Sequence, residues 1–393
     1  MDTQIAGSGY RTLPVGIGLA LAAAGLILWP EEAMAAMTRS MALCANVVVP
    51  SLFPFFVLSS LVVELGLARY LGRLLEPVMA TLFRVNGSCA AALALGVVGG
   101  YPVGARTAIA LYKNGQCSRS ETERLLAFCN NCGPAFILGV VGTGIFGSSW
   151  VGMLLYLIHL TASLLVGILF RFYKPHDAPI LRRVDPTRFQ TVSISGAFTR
   201  AVTGAMQAAL NICAFVMVFG AALGLLAKSG ALDLAAGVLA TILSPLGLTH
   251  PRAVQLLSGL LEMTAGVSAL TDGTLTGRMS MAAFLLGWAG LSVHCQVMSF
   301  LGDSGLSPAT YLCGKALHGL FSALLLGLTV RFLPIELPAA LYLAEQTETL
   351  AQLEFHRALA ISATVAWVTW LLFLLLAAHA VKKRSRKRLR SVL

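Results

Sequence analysis

Long apolar runs dominate the chain, and the polar or helix-breaking positions between them can be read one by one. Leu13–Trp29 and Ala358–Val381 hold no Asp, Glu, Lys or Arg and approach the ~20 residues that cross a bilayer. Several further apolar runs lie between them, so the pattern predicts an all-α polytopic membrane protein. Inside one run, from about Cys89 to Tyr112, sits Gly99-Gly100-Tyr101-Pro102-Val103-Gly104-Ala105-Arg106. Backbone that leaves the helix at membrane depth survives only where protein or a wet cavity satisfies its polar groups. A second break, Asn130-Asn131-Cys132-Gly133-Pro134, follows soon after. Weaker echoes stand at Glu262-Met263-Thr264-Ala265-Gly266 and Ser292-Val293-His294-Cys295-Gln296. Paired interrupted segments in two halves of a chain point to a transporter's substrate site.

The intervening segments set the organisation. Glu31-Glu32 reads as an acidic turn, and Pro50 and Pro54 each remove a backbone donor near the start of a span. Leu67–Arg84, with Arg69, Arg73, Glu76 and Arg84 among leucines, reads as an interfacial or poorly spanning helix. Ser118, or Ser120 with Glu123, supplies a capping box for a helix running into Asn130. A span near Val151–Phe170 closes the first half, and the proline-rich basic stretch after it is the linker. The second half ends in Leu324–Phe332, which shares Leu-Leu-x-Gly and Arg-Phe with Leu164–Phe172. Gly104 with Gly266, Gly115 with Gly277 and Ser118 with Ser280 fall in a nearly common register. These matches favour an internal duplication. The expected organisation is an N-terminal helix over 1–40, repeats over 41–172 and 203–333, a linker over 173–202, and a loop, helix and tail over 334–393.

Composition excludes a soluble protein: 57% of residues are hydrophobic and 11% charged, whereas soluble domains are about 25% charged. The net charge of +11 is concentrated in the tail, Lys382-Lys383-Arg384-Ser385-Arg386-Lys387-Arg388-Leu389-Arg390. Directly after a span this cluster reads as a cytoplasmic stop and an anionic-lipid contact, not as a nucleic-acid site. The eight cysteines are scattered through apolar segments, unlike a disulfide framework. Leu13–Trp29 is read as an uncleaved helix, because its apolar core exceeds a signal peptide's. Linker and tail are expected in the cytoplasm and the Glu-bearing loop Leu333–His356 outside, which makes the two halves inverted in topology with both termini cytoplasmic. An odd number of crossings per half then requires one broken segment in each to re-enter, or a segment of the Leu67–Arg84 kind to cross.

Val49-Pro50-Ser51-Leu52-Phe53-Pro54-Phe55, Gly100-Tyr101-Pro102-Val103-Gly104-Ala105 and Phe128-Cys129-Asn130-Asn131-Cys132-Gly133-Pro134 resemble the YlbJ-type sporulation integral membrane proteins. That family carries the nucleoside recognition or Gate domain, also found in spore maturation proteins A and B, the ferrous iron permease FeoB and, distantly, concentrative nucleoside transporters. The resemblance implies two inverted Gate repeats flanked by N- and C-terminal transmembrane helices. It further implies a bacterial cell-membrane or outer forespore-membrane protein that moves dipicolinic acid from mother cell toward forespore. One departure is the Cys-x-x-Cys made by Cys129 and Cys132.

A planar aromatic dicarboxylate asks for anion donors and a stacking surface. Helix N-termini freed at the breaks offer N–H groups, drawing in Gly100, Pro102, Gly104, Gly133 and Gly266. Asn130 and Asn131 can donate amide hydrogens, Arg106 a bidentate contact and Tyr101 a ring. Arg106 reads equally as an interfacial arginine, and Tyr101 as a packing residue. Glu262, an ionisable group in an apolar stretch, is the candidate for coupling to a proton or a sodium ion, with Thr264 adding an oxygen. Pairing with a basic residue is the alternative for it. Ser292 and His294 face the same centre if the repeats meet there, and His294 is read as donor, relay or core residue alike. No resident cofactor is expected, and homo-oligomerisation stays open. Three other readings stay open: a nucleoside-like permease; a divalent-metal permease using Cys129, Cys132, His294 and Cys295; and a membrane scaffold in spore envelope assembly. No nucleophile with an adjacent base appears, so an enzyme is not expected.

Overall fold

The computed structural model describes residues 9–65, 74–174, 194–302 and 304–332, and every regular element among them is helical. The expected C-terminal span, the loop before it, the basic tail and most of the linker lie outside the described residues. Four of the helices are long and apolar enough to cross a membrane, or up to six if each sharply bent pair counts as one span.

The chain starts with α1 (Gly9–Leu28) and α2 (Pro30–Leu43), bent by 98° at Trp29. Glu31-Glu32 is therefore not a turn but the first turn of α2. Pro30 occupies the opening position, where its missing N–H has no partner to lose, and the carboxylates suit the positive helix end. Over Cys44–Val48 the ladder widens to bonds spanning five residues, where Pro50 provides no N–H for the Asn46 carbonyl. Helix α3 (Val49–Glu64) follows with Pro54 inside it. The helical segment Leu74–Phe83 stands at 96° to the next one, Gly87–Gly99. It stops at Arg84, which is left-handed at φ 52.

The first break is a hairpin. Helices α4 (Ala90–Gly99) and α5 (Val103–Lys113) fold back on each other through Gly100-Tyr101-Pro102, with Gly100 at φ 78 and a cis Tyr101–Pro102 bond. The arms approach so closely that a Cβ on Gly96 or Gly104 falls 1.9 Å from the Cys129 carbonyl oxygen. Only glycine fits there. Next come α6 (Arg119–Leu126), the wide helix α7 (Ala135–Ile145) and α8 (Ser149–Phe170). Ser118, not Ser120, caps α6, and its reciprocal partner is Glu121. The chain leaves helix at Ala127, so α6 does not reach Asn130.

Helix α9 (Ile194–Lys228) begins inside the segment expected as linker over 173–202. Ala197, Ala201, Ala205, Ala208 and Ile212 recur at helical spacing and are buried, while Thr199, Arg200 and Thr203 stay exposed. The basic composition of the region hid that stripe. Helices α2 and α3 pack along α9. After α10 (Ala231–Leu243), a second hairpin joins α11 (His250–Leu261) to α12 (Met263–Ser268) at Glu262, with a Cβ on Gly266 meeting the Gly259 Cα at 2.1 Å. Helices α13 (Leu275–Trp288) and α14 (Gly290–Leu301) follow, broken at left-handed Ala289 and Gly290, and α15 (Pro308–Phe332) closes the described fold.

The two hairpins enter from opposite ends. At the linker end, Glu121 accepts from Asn86 N at the base of the first hairpin, and Glu123 accepts from Arg119, Lys174, Tyr173 and Ser307. The other end lies across α8, whose 22 residues span ~33 Å. There Arg278 donates to the Leu270 carbonyl at the base of the second hairpin and sits 5.3 Å over the Phe146 ring. In each half a helical hairpin thus enters the bundle and returns to the end from which it came.

Candidate functional site

Both hairpin tips end mid-bundle. Tyr101 and Met263 share one apolar cluster with α13, and the break at Ala289-Gly290, just ahead of Ser292–Gln296, where it was expected and where the chain is instead helical, abuts the second tip: a Cβ on Gly290 would meet Met263 N at 2.9 Å. Gly133 backs onto Gly100 in the same way, at 3.2 Å. Carbonyl and amide groups freed by the breaks therefore face one another and a set of buried polar side chains.

The centre of that set is Lys315, wholly buried on α15. Its Nζ donates to the Tyr101 hydroxyl at 2.8 Å and the Asn130 carbonyl at 3.0 Å, and meets His318 Nδ1 at 3.1 Å. The Tyr101 ring also lies 4.7 Å from the ammonium. No carboxylate among the described residues contacts it. A buried ammonium without a counter-ion is expensive, so the residue marks either a switchable charge or a place for an anion.

Hydrogen-bond partners fix the proton positions around it. The Tyr101 hydroxyl donates to the Leu286 carbonyl at 2.6 Å, so it accepts from Lys315. His318 Nε2 faces the His159 carbonyl at 2.9 Å and must carry hydrogen, leaving Nδ1 as the acceptor for Lys315. His159 Nε2 accepts from Cys132 N at 3.0 Å, so its hydrogen is on Nδ1, which is buried and has no partner. On the other flank, Asn130 Nδ2 reaches the Tyr311 hydroxyl at 3.4 Å, and that hydroxyl faces His294 Nδ1 at 3.1 Å. With the Tyr311 proton directed to Nδ1, His294 Nε2 bears a hydrogen and is likewise unpartnered. Ser292 Oγ, Ser322 Oγ and Asn131 Oδ1 are also buried without partners. Unpartnered buried polar atoms are rare in packed interiors, and two of these, His159 Nδ1 and Ser322 Oγ, belong to residues on the helices α8 and α15 that carry the cluster.

Of the residues singled out from sequence, Tyr101, Asn130 and His294 are joined to this cluster by hydrogen bonds, Gly100, Pro102 and Gly133 adjoin it in the chain, Asn131 turns its amide to the Phe128 carbonyl, and Ser292 is buried with no bond to it. Gly104 and Gly266 instead serve close helix contact. Arg106 turns to the scaffold, donating to the Gly204 carbonyl at 3.2 Å and lying 5.6 Å over the Phe56 ring. Glu262 caps its own short helix, accepting from Thr264 N at 3.2 Å and Ala265 N at 2.7 Å, and the half-buried Thr264 contributes that amide. Among the described residues it pairs with no basic residue. Cys129, Cys132, His294 and Cys295 do not assemble: among the described residues no three His, Cys, Asp or Glu side chains converge as metal ligands. Cys132 meets the cluster through its backbone N–H, which a thiol-ligand reading did not anticipate.

Lys315, His318, His159 and Tyr311 were missed. A usable signal existed: Tyr311, Lys315, His318 and Ser322 recur at helical spacing on one stripe of an apolar span, and all four are fully buried.

The model of the Gate family, described as nucleoside recognition, matches residues 45–148. The sporulation integral membrane protein YlbJ of Bacillus subtilis (strain 168) is 30% identical over 334 residues, which cover 80% of this chain and 82% of the relative. The chain belongs to the YlbJ family. No solved structure matches it. The Gate match covers the first hairpin, Asn130 and Cys132, whereas His159, His294, Lys315 and His318 lie beyond it. In this YlbJ-family chain the cluster is thus completed by the second half.

Proposed function

We propose that this chain is a carrier that moves a small organic anion across a membrane during sporulation, with dipicolinate, passed from mother cell toward forespore, as the substrate. The observation that carries the reading is Lys315: a buried cation with no carboxylate partner among the described residues, held between the two interrupted halves of the fold. Unpartnered donors on His159 and His294 add N–H groups for carboxylate oxygens, and Tyr101, Trp288 and Tyr311 add aromatic surface. Opposed re-entrant hairpins suit alternating access better than a static scaffold. In this reading the linker and tail face the cytoplasm of the mother cell.

The test is uptake of labelled dipicolinate into proteoliposomes, with zinc and iron measured on the same protein. Uptake above empty vesicles, abolished by Lys315→Gln in a protein that still elutes as folded, is the expected result. Wild-type uptake no faster than empty vesicles under proton, sodium and no gradient would overturn it.

A further inference from the structure

Resting on the carrier reading, we infer that the site takes its anion together with one proton, held on the Lys315–His318 pair. All three partners of Lys315 Nζ are acceptors: the Tyr101 hydroxyl, whose own hydrogen goes to Leu286, the Asn130 carbonyl, and His318 Nδ1. A neutral amine has two hydrogens and leaves one of these acceptors empty, whereas an ammonium fills all three. If the proton sits on His318 instead, Nδ1 donates to the amine and Nε2 still donates to the His159 carbonyl, so the pair holds the same single charge. The geometry is that of a proton-loaded pair.

Nothing on the surrounding elements balances that charge. The hairpin tip presents Tyr101, the break between α6 and α7 Cys129 and Cys132, α8 His159, α14 His294, and α15 itself Tyr311 and His318. Helix α13 presents a backbone carbonyl, and its Arg278 is engaged with Leu270 and Phe146 near the far end. On α6, Glu121 accepts from Asn86 N and Ser118 N, Arg124 donates to the Ser120 carbonyl, and Glu123 is committed to Lys174, Arg119 and Ser307. Burial disfavours the charge unless an opposite charge is close. The missing counter-charge is the anion, which binds by charge and by donors the cluster leaves over, His159 Nδ1 and the Ser322 hydroxyl. When the anion departs, the reason to keep the proton departs with it, so the two move as a pair.

Calorimetric titration of the full-length protein in detergent with dipicolinate, in buffers of different ionisation enthalpy, counts protons taken up per anion bound. Wild type is expected to take up a net proton at alkaline pH, with affinity falling by up to about tenfold per pH unit there. Lys315→Arg, charged at every accessible pH, is expected to bind with no proton uptake and no such fall. Binding by wild type with no proton uptake across roughly pH 6 to 10 would overturn the coupling and leave the carrier reading intact. No binding at all would overturn both.

Discussion

The two hairpins share a construction and differ in how their tips are tied. Each crosses on a pair of glycines, Gly96 with Gly104 and Gly259 with Gly266, so close that a side-chain carbon at Gly104 or Gly266 has no room. The first tip is secured from outside itself: Tyr101 reaches across to Leu286 and receives Lys315, and Asn130 takes a second bond from the same ammonium. The second tip is secured mainly from within, through Glu262 capping a return arm of six residues, with Trp288 bonding the Leu260 carbonyl beside it. A tip held by the site must respond to what the site holds. A self-capped tip keeps its shape whatever the site contains.

Substitution of the crossing glycines breaks what the hairpins share. Gly104→Ala and Gly266→Ala place a carbon 1.9 and 2.1 Å from backbone atoms that have little freedom to retreat. Each is expected to destabilise by about 3 kcal/mol or more, read as a large drop in thermal midpoint in detergent. A mild effect would show that the Cys129 backbone retreats easily from the first hairpin, or that the arms of the second separate easily.

The sharper contrast is between the charged residues. Lys315→Gln removes the buried cation that bonds the first tip, and dipicolinate uptake is expected to fall at least ~10-fold, one decade being ~1.4 kcal/mol. Glu262→Gln keeps one acceptor for the α12 amides and is expected to retain uptake at a stability cost of about 1 kcal/mol. Abolished uptake in a folded Glu262→Gln protein would return this residue to an ion-coupling role.

Hydrogen exchange measures the same difference without mutation. Arm α12 has six residues with exposed Ser268 at its end, whereas α5 buries seven of its eleven. Amides in Met263–Ser268 are expected to exchange at least ~10-fold faster than those in Val103–Lys113. Added dipicolinate is expected to slow the first hairpin more than the second.

The smallest effect concerns the linker end. Burial pushes the Glu123 carboxyl up, but hydrogen bonds from Lys174, Arg119 and Ser307 N outweigh it and hold the group below its ordinary value of 4.5. A lowered folded value means stability that is present above pH 4.5 and lost as pH falls through the folded value. Lys174 and Arg119 are half exposed, so solvent screens the pairs and the loss is modest. The thermal midpoint is expected to decline below about pH 4.5, with Glu123→Gln flattening that limb.

Local chemistry made much of this architecture legible. Helix breakers in apolar runs mark Gly100-Tyr101-Pro102, Asn131–Pro134 and Glu262 as interruptions, because Gly and Pro act on their own backbone whatever surrounds them. Loop charge and the repeated Gly104 and Gly266 pointed to opposed halves, and the hairpins do enter from opposite ends. Sequence also identified Asn130, Tyr101 and His294 as members of a central site. It did not separate Glu262, satisfied by amides two and three residues along its own chain, from Lys315, which besides His318 on its own helix bonds Tyr101 and Asn130 on two distant segments. A charge in an apolar stretch reads the same in both cases. Only the tertiary fold decides whether the groups that answer it are neighbours in sequence or meet it from across the bundle.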